Sequence, residues 1–297
     1  MNKDKIRQNR IKNIIFKVFL YSGLVMFSIF VIIPFYWMIL TALKSDQDLT
    51  SIPPKLFLPF SKLYFQNFAD AFARAPFGRN MLNTVIVSTI STVGTLFTTI
   101  LASFAFARLN FKGRDLLFII FLSTMMIPGE IFVITNYSTV ARLGWLGADE
   151  VAQTYRQALQ AMTFPFMTSV FYIFFLRQAF KSIPDELYLA AKVDGTSDFK
   201  YLRRIMIPIA KPTIITVTIL NAMGTWNAYI WPNLVTDNAD FRLVTDGLRN
   251  AYTELSGGSI FNEQMAAALI VTIPLLVVFL LLKKYIMRGV SRSGIKG

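Results

Sequence analysis

The residues able to do chemistry in this sequence are few, and what they offer is binding rather than reaction. The 297 residues include no His and no Cys. That removes the histidine general base, the thiol nucleophile, the thiolate metal site and one member of the usual hydrolase triads. No Gly-x-x-x-x-Gly-Lys-Ser/Thr run occurs, so the chain lacks the phosphate loop of an ATPase. Asn221, Trp226, Asn227 and Tyr229 fall along one apolar stretch. Their amides and aromatic faces suit sugar hydroxyls and rings, and helix–helix packing is the competing use. One acid, Glu130, interrupts another apolar stretch just after Pro128-Gly129. Pairing with a partner's basic group, facing water at a span end and carrying a proton are all open to it. No acidic cluster has metal-ligand spacing.

A second set of residues lies in the segment 181–212, KSIPDELYLAAKVDGTSDFKYLRRIMIPIAKP. Pro184 suits the first turn of a helix, and Asp185 and Glu186 then sit where the helix dipole favours anions. Leu187, Ala190, Ala191 and Asp194 share a face by helical spacing, shallow enough for close approach by another protein. Asp194-Gly195 reads as a stop, because Gly accepts the left-handed conformation that ends helices. Ser197 suits the cap of a second short helix carrying Phe199, Leu202 and Ile205, and Pro208 and Pro212 end it. The segment therefore predicts a helix–turn–helix with a rigid return. An amphipathic loop lying on the membrane surface is the plainer alternative.

These residues must be positioned by a membrane-spanning scaffold. The chain is 54% hydrophobic, only 16% charged, and carries a net charge of +13, which argues against a soluble nucleic-acid binder. Long apolar runs predict six transmembrane helices at about 18–43, 80–107, 116–141, 157–180, 212–236 and 264–287. The first run is too long for a cleavable signal peptide and lacks a small-residue cleavage site. Pro165 and Pro274 predict kinks. Of the 30 Lys and Arg residues, 21 fall in the two termini, the second–third connection and the fourth–fifth connection. The positive-inside rule therefore makes both termini and the segment 181–212 cytoplasmic. The connection 237–263, with Gly257-Gly258 and five acids, is either a solvated external loop or a contact for an external partner.

The segment 181–212 resembles the signature loop of ABC importer permeases, the EAA loop: Glu-Ala-Ala, three residues, Gly, nine residues, Ile-x-Leu-Pro. Leu189-Ala190-Ala191, Gly195 and Ile205-Met206-Ile207-Pro208 reproduce that spacing. Leu189 departs from the family's Glu, and Glu186 lies one turn back. Other elements resemble the carbohydrate-uptake, maltose-transporter (MalG-like) branch. They are Thr41-Ala42-Leu43-Lys44, Asn83-Thr84, Ala105-Phe106-Ala107-Arg108, Met126-Ile127-Pro128, Ile183-Pro184, Trp226-Asn227 and the ending Arg288-Gly289 through Gly294-Ile295-Lys296-Gly297.

The resemblance implies an all-α polytopic membrane protein with the six-helix, MetI-like type I fold, a single permease domain over 1–297. It implies a non-enzymatic transport subunit for a carbohydrate or related polar solute. The implied partners are a second homologous permease, two ATPase subunits that hold ATP and Mg, and an extracytoplasmic solute-binding protein in a prokaryotic cytoplasmic membrane. No cofactor is expected in this chain. Glu186, Ala190, Ala191, Asp194, Gly195, Ile205 and Pro208 are the implied ATPase-coupling residues, and the tail would reach the ATPase interface. A secondary transporter would show more spans, repeats and intramembrane charges. Another polytopic protein without an ATPase partner is the remaining alternative.

Overall fold

The computed structural model describes residues 3–147, 152–253 and 261–291, without the side chains of 3–10, 253 and 285–291. Gly257-Gly258 and the ending 294–297 lie outside the described residues. Among the described residues, every regular element is a helix. The helices are α1 (Lys3–Ala42), α2 (Asp46–Leu49), α3 (Gln66–Arg74), α4 (Phe77–Arg108), α5 (Arg114–Thr124), α6 (Ile131–Arg142), α7 (Tyr155–Thr163) and α8 (Val170–Lys181). They continue with α9 (Asp185–Val193), α10 (Asp198–Tyr201), α11 (Ile207–Ile209), α12 (Lys211–Trp226), α13 (Ile230–Val235), α14 (Val244–Thr253) and α15 (Phe261–Ser291).

Three stretches are long and apolar enough to cross a membrane: Ile11–Ala42, Phe77–Arg108 and Phe261–Lys284. Two bent helix pairs raise this to five. Six spans remain consistent with this count, and three of the expected apolar runs are interrupted. The third, 116–141, is divided into α5 and α6 by residues 125–130. Pro128 has no N–H to donate and disfavours a helical Ile127. The fourth, 157–180, is Tyr155–Phe166 followed by Val170–Lys181 with a 52° bend, Pro165 lying in a 3-10 turn at the break. The fifth, 212–236, stops at Trp226 and restarts as α13. Pro274, by contrast, sits inside a continuous α15.

The chain forms two compact units, 1–73 with 255–270 and 74–254 with 271–297. In the first, the end of α1 is held by two buried amides. Asn67 donates to Ala42 O (2.9 Å) and Lys44 O (2.8 Å), and Asn262 donates to Asp46 Oδ1 at 2.9 Å. Lys44 is buried with its ammonium over the Trp37 ring at 5.0 Å.

In the second unit α4 is the axis, and its sequence explains why. A seam of small hydroxyls serves the bent fourth span. Thr95 donates to Phe166 O (3.2 Å), Thr98 to Met167 O (2.6 Å) and Ser103 to Ile173 O (2.9 Å). The helix break frees the carbonyls of Phe166 and Met167, which hydrocarbon cannot solvate, and α4 supplies their donors, while Ser103 bonds a carbonyl inside α8. At the other end of α4, Asn83 donates to Asp240 O and Arg242 O. The Thr84 hydroxyl accepts the Val244 N–H at 2.8 Å, which fixes the start of α14.

Candidate functional site

The segment 181–212 folds as two helical pieces. Pro184 sits at the N-cap of α9 rather than inside its first turn, and Asp185 and Glu186 follow in that turn. Gly195 has φ +70°. Around it Thr196 N–H bonds Ala191 O (2.8 Å) and Gly195 N–H bonds Lys192 O (3.0 Å), the paired closure of a Schellman turn. Ser197 then caps α10, accepting from Lys200 N–H. A π-helical stretch, Leu202–Met206, joins α10 to α11. The run Asp198–Ile209 then meets α12 at 80°. Pro212 falls in the first turn of α12, where a missing N–H costs nothing.

One side of this hairpin is locked and the other is bare. Ala191, Tyr201, Leu202, Met206 and Ala210 are buried with Phe104, Leu176, Phe180 and Ile183, and Ile205 packs against them partly buried. Glu186, Ala190, Asp194, Gly195 and Pro208 are exposed. The expected small-residue face is therefore split. Ala190 points out and Ala191 points in, because consecutive helical residues lie about 100° apart. The exposed face is more apolar than expected: Leu189 is 62% exposed, Val193 88% and Phe199 66%. Across the turn, Asp198 accepts from Tyr188 Oη (2.8 Å) and pairs with Lys192 Nζ (2.6 Å). The Lys192 bond, then the Tyr188 bond, holds the Asp198 carboxyl below its ordinary range, and Asp198 raises Lys192.

Arg108, at the end of α4, fastens this hairpin to the bundle. Its side chain is 3% exposed. Nη2 donates to Phe180 O (2.9 Å) and Ile183 O (2.5 Å), and Nη1 to Asp185 Oδ1 (2.5 Å). One guanidinium thus closes α8 and opens α9. Sequence reasoning read Arg108 only as part of a helix-closing element. A lone arginine ending a charge-free span was the available signal.

The four expected solute residues separate. Asn221 lines a cavity of about 280 Å³ with Ser91, Tyr172, Thr225 and Trp231. Its Nδ2 donates to Thr92 Oγ1 at 3.1 Å. Trp226 is buried with Nε1 bonded to Val271 O, so it packs helices. Asn227 ends α12, donating to Met223 O. Tyr229 lies under the Arg249 guanidinium at 4.3 Å. Only Asn221 of the four faces the cavity. Ser91, Tyr172 and Trp231, on other elements, were missed because only folding brings them together. Glu130 stands exposed at the N-cap of α6, with no side-chain cap bond, between the two helices that divide the expected third run.

In the connection between the fifth and sixth spans, Asp246 is fully buried. Oδ1 accepts from Asn250 Nδ2 at 2.6 Å, and Arg242 Nε lies 4.0 Å from Oδ2. Burial pushes this carboxyl up to about 6, against the pull of Arg242. Next to it, Gly247 approaches Asn80 so closely that a Cβ would lie 2.1 Å from Nδ2.

Residues 94–292 match the family described as binding-protein-dependent transport system inner membrane component. The chain belongs to this family. It is the permease subunit of an ABC importer, and a multi-pass membrane protein. A probable ABC transporter permease protein, the MG189 homolog of Mycoplasma pneumoniae, is 31% identical over 99% of this chain and 92% of its own. The sn-glycerol-3-phosphate transport system permease protein UgpE of Pectobacterium atrosepticum is 28% identical over 89% of this permease and 92% of its own length. The permease fold matches a chain of a bacterial ABC transporter that imports the acidic polysaccharide alginate. The TM-score is 0.78 at 22% identity, covering 94% and 98% of the two chains. A second structure, of a bacterial alginate ABC transporter in complex with an alginate pentasaccharide-bound periplasmic protein, gives 0.65 at 17% identity.

Proposed function

We propose that this permease translocates a carbohydrate or related polar solute across the cytoplasmic membrane of a prokaryote, with both termini cytoplasmic. A second, homologous permease completes the path, and an extracytoplasmic solute-binding protein delivers the solute. Two ATPase subunits bind beneath and hold the ATP and Mg, so this chain needs no cofactor and catalyses no reaction itself. Its task is mechanical. The exposed side of α9 and the adjoining turn, with Glu186, Ala190, Asp194, Gly195 and Pro208, seats in one ATPase subunit. Ala191 and Ile205 support that surface from within.

The observation that carries this reading is the two-sided hairpin. A surface with Leu189, Val193 and Phe199 exposed is costly in water and favours a protein partner. Its reverse is buried in the bundle and pinned by Arg108. A push on the exposed side is therefore transmitted to α4, α8 and α12 as rigid-body motion.

Replacing Gly195 by Trp tests this. Uptake should be abolished while the protein remains inserted and assembled. Undiminished uptake by an inserted Gly195→Trp subunit would remove the coupling role.

A further inference from the structure

The cavity lined by Asn221 has features that helix packing does not need. Ser91 is 5% exposed, yet its hydroxyl makes no hydrogen bond among the described residues. Tyr172 lines the same space, and its hydroxyl makes no hydrogen bond among the described residues. Asn221 spends one amide hydrogen on Thr92 and leaves its carbonyl free. The residues lining this one space therefore bring to it two hydroxyl-bearing side chains and an amide with its carbonyl unspent, groups able to satisfy ligand hydroxyls.

The rest of the wall is aromatic or absent. Trp231 is held by Nε1 donating to Ala161 O at 3.0 Å, and Phe166 meets it edge-on at 5.3 Å. Together they offer an apolar surface for the C–H face of a ring. Gly224 opens the third side, since a Cβ there would meet nothing within 4 Å. The volume of about 280 Å³ lies just below the ~300–1,000 Å³ of drug-sized sites and suits a single ring or short polyol.

Among the described residues, no Lys, Arg, Asp or Glu lines this cavity. A phosphate or carboxylate entering it would lose its hydration and gain no counter-charge, whereas a neutral polyol would lose little. We propose that this cavity is a subsite, within this one subunit, for a single electrically neutral sugar or polyol, and that it discriminates against anionic solutes. The proposal rests on the permease function proposed above and adds the charge class of the solute.

The absence of Cys from the sequence makes a direct test available. Ser91→Cys is close to isosteric, and Gly224→Cys places its Cβ in open space. Each variant is assembled with the partner permease, ATPase and binding protein, and labelling of this chain is followed. The reagents are neutral methyl methanethiosulfonate and its anionic sulfonatoethyl counterpart. The protecting probes are glucose, galactose, mannitol and glycerol against glucose 6-phosphate and galacturonate, all at tens of millimolar. At least one neutral probe should slow labelling about fivefold or more at both positions, as saturation requires, with no protection by the anions. The anionic reagent should lag the neutral one about tenfold further than at exposed Ser61→Cys. Absence of protection by every neutral probe, or equal protection by an anion, overturns the proposal. The readout needs no transport, so its failure is separate from a failure of the Gly195 uptake test.

Discussion

Arg108 and Asp185 form an ion pair whose two ends live in different solvents. The guanidinium is 3% exposed and the carboxylate 79%, with 2.5 Å between Nη1 and Oδ1. The buried end also bonds two backbone carbonyls, so its loss is the larger one. Arg108→Ala should destabilise the hairpin's attachment by ~2–4 kcal/mol, because Phe180 O and Ile183 O are left without their donor. Asp185→Ala should cost no more than ~1 kcal/mol, since water competes for that contact. The predicted phenotype of Arg108→Ala is ATP hydrolysis by the assembled importer that no longer tracks uptake. Measuring both rates on the same vesicles checks this, and preserved coupling would show that the clamp does not transmit motion.

At Gly195 the constraint is backbone conformation. Its φ of +70° lies where L side chains are rarely found, although a Cβ would meet no neighbour within 4 Å. Gly195→Asn should therefore retain most uptake, and Gly195→Val should lose most of it despite similar bulk. Asn tolerates the left-handed region and a β-branched side chain does not. A parallel uptake assay decides: equal losses would point to the space above the turn rather than its conformation.

The Lys192–Asp198 bridge gives the hairpin a defined pH range. Asp198 is depressed below 3.8, so its contribution is present above that value and fades as pH falls through the lower folded value. Lys192 is raised above 10.5, so its contribution persists below that value and fades as pH rises beyond it. Amide hydrogen exchange over 185–209 should show constant protection between these limits, after correction for intrinsic rates. Asp198→Asn should abolish the loss of protection on the acid side. An unchanged acid limb in that variant would assign it to another carboxylate.

Asp246 has the opposite sign. Its carboxyl is raised from 3.8 to about 6, so the folded protein binds that proton more tightly than the unfolded chain. Its contribution to stability is greatest below 3.8, falls as pH rises to about 6, and is flat above it. Asp246→Asn keeps an acceptor for Asn250 and removes a buried charge. It should stabilise the protein at neutral pH by up to ~3 kcal/mol and flatten that slope. Thermal unfolding of the detergent-solubilised protein against pH tests this, and destabilisation at neutral pH would show that the Arg242 contact dominates burial.

The sequence revealed those parts of the fold that depend on short-range rules. Apolar length located α1, α4 and α15, and Pro184, Gly195 and Ser197 marked the ends of the hairpin helices. Pro128-Gly129 and Pro165 signalled interruptions near 125–130 and 167–169, whereas the break at 227–229 has no proline or glycine and was harder to see. A broken span keeps its apolar composition, and only the hydrogen bonds of a neighbour such as Thr95 make the break tolerable. The orientation of α9 was half legible, because helical spacing groups Ala190 with Ala191 until packing assigns one to each side. The cavity was least legible. Ser91, Tyr172, Asn221 and Trp231 sit on four elements, and no local pattern links a serine in α4 to a tryptophan in α13.

The hydroxyl seam of α4 has a bearing on how the protein is made. Thr95, Thr98 and Ser103 emerge from the ribosome some 70 residues before the carbonyls of Phe166, Met167 and Ile173 that they serve. The donors are already available when the interrupted segment is synthesised, so vectorial synthesis delivers the two in the order a lipid environment requires. A circular permutation that placed the 155–181 segment ahead of 77–108 would reverse that order with every contact preserved on paper. Its yield of inserted protein would report on biogenesis separately from the finished fold.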